Sequence, residues 1–182
     1  LSGKWLFKRG ASIPIEKLRQ KDPNSYPCTL NNAMIQPLKQ YGIKGVLWYQ
    51  GESNVDRASR YTELLPALIA DWRAQWQSNL PFLLVQLANF KQPVLEPTES
   101  SWAELREAQF KASSISNTGV ATAVDIGLAE DIHPTNKKEV GRRLSLLARK
   151  FAYQEDIVGA GPTYQSMEIK GSEIHVKFGN LG

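Results

Sequence analysis

The sequence predicts a three-layer α/β sandwich built on a mostly parallel sheet, followed by the start of a β-rich C-terminal region. Three observations lead there. Short, nearly continuous apolar runs at 45–49, 82–87 and 119–124 have the character of strands covered on both faces. Longer segments with apolar residues at helical spacing alternate with them, as right-handed crossovers in a parallel sheet require. After Tyr153 the composition changes, with Gly159-Ala160-Gly161-Pro162 as a linker signature and two alternating runs around a Gly-Ser pair.

These signals divide the chain into an N-terminal connecting segment over 1–28, an α/β core over 29–155, and a linker with a β-hairpin over 156–182. The first core element is a helix over 30–41, with Ala33, Met34, Pro37 and Leu38 near one face and Pro37 kinking or ending it. The strand at 45–49 follows. A helix over 57–76 carries the stripe Tyr61, Leu64, Leu65, Leu68, Ile69, Trp72 and Trp76, and Pro66 is expected to divide or bend it. That stripe is core. The run Phe82-Leu83-Leu84-Val85-Gln86-Leu87 is the next strand, and 91–101 is a loop expected to border a site. A helix over 102–113 and the strand at 119–124 come next. The last helix is expected to open at Pro134, whose fixed φ suits the first helical position, with Val140, Leu144, Leu147, Ala148 and Phe151 inward. Residues 163–170 and 173–178 then form a hairpin around Gly171-Ser172. His175 alternates with Ile174 and Val176 there and reads as a strand surface residue.

Composition narrows the function classes. With 42% hydrophobic and 22% charged residues, the 182-residue chain has a globular balance and length for one core domain. The formal charge is +4, carried by Lys4, Lys8, Arg9, Lys17, Arg19 and Lys21 and by Lys137, Lys138, Arg142, Arg143, Arg149 and Lys150. No nucleic-acid module accompanies them, so a solvated helix face accounts for the second cluster, although an acidic sugar would be drawn to such a field. Cys28 is the only cysteine, so no internal disulfide or cysteine metal cluster is expected. No apolar run reaches the ~18 to 20 residues of a membrane span. The compartment stays open, with periplasm, secretion and lysosome all compatible.

Two clusters carry chemistry. Trp48-Tyr49-Gln50-Gly51-Glu52-Ser53-Asn54 follows an apolar strand and places an amide, a glycine, a carboxylate and a hydroxyl at its carboxyl end, where open parallel sheets bind ligands. Gly51 lets the backbone approach a ligand, and its N–H with the Gln50 amide can hold an oxyanion. A strand-end turn uses the same residue types for no chemical purpose. The second cluster is Asp131-Ile132-His133-Pro134. His133 on a loop between strand and helix suits a general base, and Asp131 or Glu130 is close enough in sequence to orient its ring. A surface histidine beside solvated acids is the plainer alternative.

These runs, with Tyr61-Thr62-Glu63-Leu64-Leu65-Pro66-Ala67-Leu68-Ile69-Ala70-Asp71-Trp72-Arg73, Pro81 to Phe90, Trp102-Ala103-Glu104-Leu105-Arg106-Glu107-Ala108-Gln109, Ala123-Val124-Asp125-Ile126-Gly127 and Val140-Gly141-Arg142-Arg143-Leu144, resemble the sialate O-acetylesterase family of SGNH hydrolases. The resemblance covers roughly residues 29 to 162 and rests on the order of the motifs. It implies an SGNH, flavodoxin-like sandwich and a serine esterase removing acetyl groups from sialic acid or similar sugars, with no metal or organic cofactor. It also implies that the run holding Gln50, Gly51, Glu52 and Asn54 shapes the oxyanion and substrate side, and that the nucleophile stands in an early G-Q-S-N-M-like block. This chain has no such block and opens at Leu1-Ser2-Gly3-Lys4-Trp5. A missing N-terminal segment, or a partner chain, is therefore expected to carry the nucleophilic serine.

Gly51-Glu52-Ser53-Asn54 also spells G-x-S-N, which keeps Ser53 open as a nucleophile, although Val55 replaces the last glycine of a G-x-S-x-G elbow. The family commonly shows D-x-x-H. Here Glu130 stands three before His133 and Asp131 two before it, so Asp131 is preferred, with Glu130, Asp125 or a backbone carbonyl as alternatives. The competing function is a carbohydrate-binding or structural fragment without turnover, in which Trp48, Tyr49, Phe90 and Trp102 stack on a sugar or serve as core.

Overall fold

A computed structural model of the chain describes residues 26–181. The connecting segment expected over 1–28, apart from its last three residues, and the basic residues from Lys4 to Lys21 lie outside the described residues. The chain forms two compact units, Leu1–Gly42 and Ile43–Gly182.

In the first unit, the helix expected over 30–41 is replaced by a π-helical turn at Asn31–Ile35 running into a 3-10 turn at Gln36–Leu38. Pro37 is the physical reason, since it brings no N–H to continue an α-helical ladder. The expected inward face is not buried either: Met34 and Leu38 are exposed.

The second unit is a three-layer sandwich. Its sheet has three parallel strands in the order β1 (Val46–Trp48), β2 (Phe82–Val85) and β3 (Thr118–Ala121). The register pairs Leu47 with Leu83 and Leu84 with Val120. All four β2 residues are buried, as a central parallel strand covered on both faces requires. Helices α1 (Ala58–Gln75) and α2 (Ser101–Lys111) lie on one face. Tyr61, Leu65 and Ile69 of α1 and Trp102, Leu105 and Ala108 of α2 enclose Val46, Phe82 and Leu84 there. Helix α3 (Lys137–Phe151) covers the other face, packing Val140, Leu144 and Leu147 on Leu83, Val85 and Ala121. It approaches so closely at Gly119 that a Cβ there would stand 2.7 Å from Phe151 Cε2.

Two expectations at helix boundaries need correction. Pro66 does not divide α1, which runs unbroken through it. Tyr61, Leu65 and Ile69 bury the turns on either side, and that packing outweighs the one hydrogen bond a proline removes. The last helix starts at Lys137 rather than Pro134. Asn136 is its N-cap, with Oδ1 accepting the Glu139 N–H at 3.2 Å, while Pro134 is buried in the preceding loop.

The amino ends of the strands are clamped by one side chain. Arg73 donates from Nε to the Leu80 carbonyl at 3.0 Å and from Nη2 to the carbonyls of Ser116 and Asn117 at 2.9 Å each. The hairpin forms as read: β4 (Thr163–Lys170) pairs antiparallel with β5 (Glu173–Gly179) through Gly171-Ser172. Gly171 adopts φ +62°, the left-handed conformation that tight hairpin loops demand. His175 lies exposed on β5, 3.0 Å from Glu173.

Candidate active site

Parallel strands place their carboxyl ends on one edge of the sheet, and here three loops meet there: 49–54 after β1, 86–92 after β2 and 122–133 after β3. Cross-links hold them together. Gln109 Nε2 donates to the Gln50 carbonyl at 3.0 Å and its Oε1 accepts the Leu87 N–H at 2.9 Å, joining the first loop to the second. Asn89 Oδ1 accepts the Gly127 N–H at 2.7 Å, the Lys91 N–H donates to the Ala129 carbonyl at 2.9 Å, and Gln92 Nε2 donates to Glu130 Oε1 at 2.6 Å, joining the second to the third. Gly127 must be glycine for this approach, because a Cβ would collide with the Asn89 carbonyl. From α3, the Lys137 ammonium sits 4.8 Å above the Tyr49 ring.

In the first loop, Gln50 is fixed at both ends of its side chain. Its Nε2 donates to Asn54 Oδ1 at 3.2 Å, and its Oε1 lies 3.1 Å from the Tyr61 hydroxyl, which also receives the Trp48 indole N–H at 3.3 Å. Burial pushes the Tyr61 hydroxyl pKa up, the Trp48 bond draws it down, and the Glu52 charge raises it further. Tyr49 is raised by burial and by the same carboxylate. Both phenols therefore stay protonated at neutral pH. Gly51 is buried with φ +148°, and the Glu52–Arg57 3-10 helix starts directly after it. Ser53 is exposed on that helix.

In the third loop, Asp131 Oδ1 accepts the backbone N–H of His133 at 2.8 Å and lies 3.5 Å from its Nδ1. This is the Asx-type turn that aspartate favours. The His133 side chain is 87% exposed, with its neighbours Ile132 packed against the core and Pro134 buried as anchors. The other carboxylates read as alternatives are engaged elsewhere. Glu130 receives Gln92, and Asp125 forms a two-pronged pair with Arg143 at 2.6 and 2.7 Å that holds its pKa below the ordinary value. Arg143 also reaches Glu139, whose pKa falls to about 2 under the joint pull of Arg142 and Arg143.

Of the aromatic residues read as either sugar platforms or core, Trp102 is core and Trp48 is partly buried against the core. Trp48 packs edge-on against Trp72 with centroids 5.8 Å apart. Trp102 donates its indole N–H to the Ala88 carbonyl at 2.8 Å and packs on Phe90 at 5.2 Å. Sequence reading missed the side chains that cross-link the loops, above all Gln109. Its signal was present: it falls among Trp102, Leu105, Ala108 and Ala112, so a polar side chain stands on the buried face of an otherwise apolar stripe.

The family model described as carbohydrate esterase, sialic acid-specific acetylesterase, matches residues 10–151. The chain belongs to this esterase family. It is 34% identical over 182 residues to the sialate O-acetylesterase of Rattus norvegicus and 33% identical over 178 residues to that of Homo sapiens. Each alignment takes in 87% of this chain and 33% of the relative. The crystal structure of a carbohydrate acetylesterase from Xanthomonas citri superimposes with a TM-score of 0.79 at 46% identity, over 85% of this chain and 37% of that one. The chain thus spans about a third of the length of the curated relatives it matches. Within the esterase family match lie both the Gln50-Gly51 turn and the Asp131–His133 turn.

Proposed function

We propose that this chain supplies the oxyanion and acid–base parts of a serine-dependent carbohydrate O-acetylesterase, acting on acetyl esters of sialic acid or a similar sugar. The observation that carries the reading is that the Gln50-Gly51 turn and the Asp131–His133 turn both follow the carboxyl ends of strands in one parallel sheet, their loops joined in series through Gln109, Asn89 and Gln92. The nucleophilic serine comes from a segment or chain outside these 182 residues. Among the described residues no strand pairs with the outer edge of β1. Leu47 is 62% exposed there, whereas its register partner Leu83 is 2% exposed beneath α3.

The chemistry is two-step acyl transfer. His133 Nε2 takes the serine proton as the oxygen attacks the acetyl carbonyl, and Asp131, facing Nδ1, stabilises the imidazolium. The Gly51 N–H and the Gln50 amide face the tetrahedral oxyanion. Collapse returns the proton to the departing sugar oxygen, and water then attacks the acyl-serine, activated by the same imidazole, to release acetate.

The test is acetate release from O-acetylated sialic acid, together with fluorophosphonate labelling and peptide mass mapping. Hydrolysis by the polypeptide or pair of chains carrying this sequence, abolished by His133→Ala and labelled at a serine outside residues 1–182, is the expected result. Label at Ser53 would overturn the external nucleophile. Sugar binding without turnover would overturn the esterase reading in favour of a binding fragment.

A further inference from the structure

Gln109 is 1% exposed, and both ends of its carboxamide are used across elements: Oε1 accepts the Leu87 N–H at the end of β2, and Nε2 donates to the Gln50 carbonyl at the end of β1. That carbonyl and the Gly51 N–H are the two ends of one peptide group. A donor on the oxygen fixes the plane of the peptide, and it polarises the group so that the N–H becomes a stronger donor. The close fit has shaped the neighbouring position as well, since a Cβ on Gly51 would stand 2.9 Å from Gln109 Nε2.

We propose that Gln109 is a positioning residue for the oxyanion donor: by bridging Leu87 and Gln50 it holds and polarises the Gln50–Gly51 peptide whose N–H faces the developing negative charge. A core-filling role would need only an apolar side chain of similar volume. Two hydrogen bonds from one fully buried amide to two different strand ends do more than fill space, because each satisfies a backbone group that has left its ladder. The inference rests on the reading of Gln50 and Gly51 as oxyanion donors given above.

The test uses Gln109→Met and Gln109→Glu in the polypeptide or pair of chains that hydrolyses acetyl esters, with kcat, KM and thermal midpoint measured for each. Gln109→Met keeps the volume and removes both bonds. A kcat lower by about 10²-fold with KM within twofold is expected, as for displacement of a reacting geometry. Gln109→Glu adds a signature that packing alone does not produce. When the introduced acid is protonated, its O–H donates to the Gln50 carbonyl while the other oxygen accepts Leu87; when ionised, it offers no donor. The ratio of variant to wild-type kcat should therefore climb towards one as pH falls. The Tyr61 hydroxyl, 3.3 Å from the same carbonyl, and Glu52, which acts on Tyr61, are present in both proteins and divide out of the ratio. The carbonyl carbon shift of Gln50, read by NMR, should follow the same titration in the variant and stay fixed in wild type. Lowered thermal midpoints with kcat retained, or a pH-independent ratio, would overturn the proposal. A titrating carbonyl shift in the Gln109→Glu variant, alongside a wild-type protein that releases no acetate, would leave the hydrogen bond in place but sink the esterase reading and the positioning role with it.

Discussion

Asp131 holds His133 by the backbone and faces its ring: one carboxylate oxygen accepts the His133 N–H at 2.8 Å and stands 3.5 Å from Nδ1. The imidazole is thereby aimed by a turn only three residues long, anchored on both sides by Ile132 and Pro134. Asparagine can make the same turn without the charge, which separates the two functions of the side chain. Asp131→Asn should lower kcat by ~10² to 10⁴-fold, the range of acid–base contributions, with the circular dichroism spectrum unchanged. Asp131→Ala should add faster amide exchange at His133. Equal turnover in the asparagine variant would remove Asp131 from the mechanism.

Gly51 is held at φ +148° and faces Leu105 Cδ2 as well as Gln109, so an added methyl meets both backbone strain and a clash at 3.1 Å. Gly51→Ala should destabilise the fold by ~1 to 3 kcal/mol, read as a fall in the urea midpoint. A midpoint equal to wild type would show that the turn has another comfortable conformation.

The Glu139 carboxylate gives a pH dependence whose direction follows from its depressed pKa. Its ordinary value is 4.5 and its folded value about 2. Folding is thus favoured by the ionised group above 4.5, and this contribution is lost as pH falls through about 2. Glu139→Gln should therefore lower the urea midpoint at neutral pH, with the gap to wild type closing on acidification to pH 2. A gap that widens in acid would contradict the ion pairing with Arg142 and Arg143.

Trp102 offers a smaller, cleaner probe. Trp102→Phe keeps most of the ring against Phe90 but leaves the Ala88 carbonyl without its 2.8 Å donor. A loss of ~1 to 3 kcal/mol is expected from an unsatisfied buried acceptor, measured by denaturant titration. No change would mean that water replaces the indole.

Much of the second unit was legible because burial leaves a mark on residue type. Phe82-Leu83-Leu84-Val85 announces a central strand, and Gly171-Ser172 announces a hairpin turn. Strand ends were read too long for a definite reason. The run at 82–87 stays apolar to Leu87, yet β2 ends at Val85, and the Leu87 N–H passes to Gln109 instead of a neighbouring strand. Residue type records which side chains are buried, whereas the partner of each backbone group depends on side chains far away in sequence. The same limit hid the capping of α3, where Pro134 satisfies the local preference for a helix start but Asn136 makes the bond. At the site, Gln50 and His133 could be singled out as unusual residues, but the Tyr61 hydroxyl and Asn89, which lie in ordinary helical and strand-end sequence, could not.

Arg73 gives this architecture a division of labour between its two ends. By gathering the carbonyls of Leu80, Ser116 and Asn117, its guanidinium locks the entry of β2 and β3 at the amino ends of the strands. The entries of β2 and β3 are thus tied together at the end of the sheet opposite the loops at 86–92 and 122–133. At the opposite edge the positions that vary without shifting the frame are therefore those outside the Asn89–Gly127, Lys91–Ala129 and Gln92–Glu130 links and outside the buried Leu87, Ala88 and Ala123.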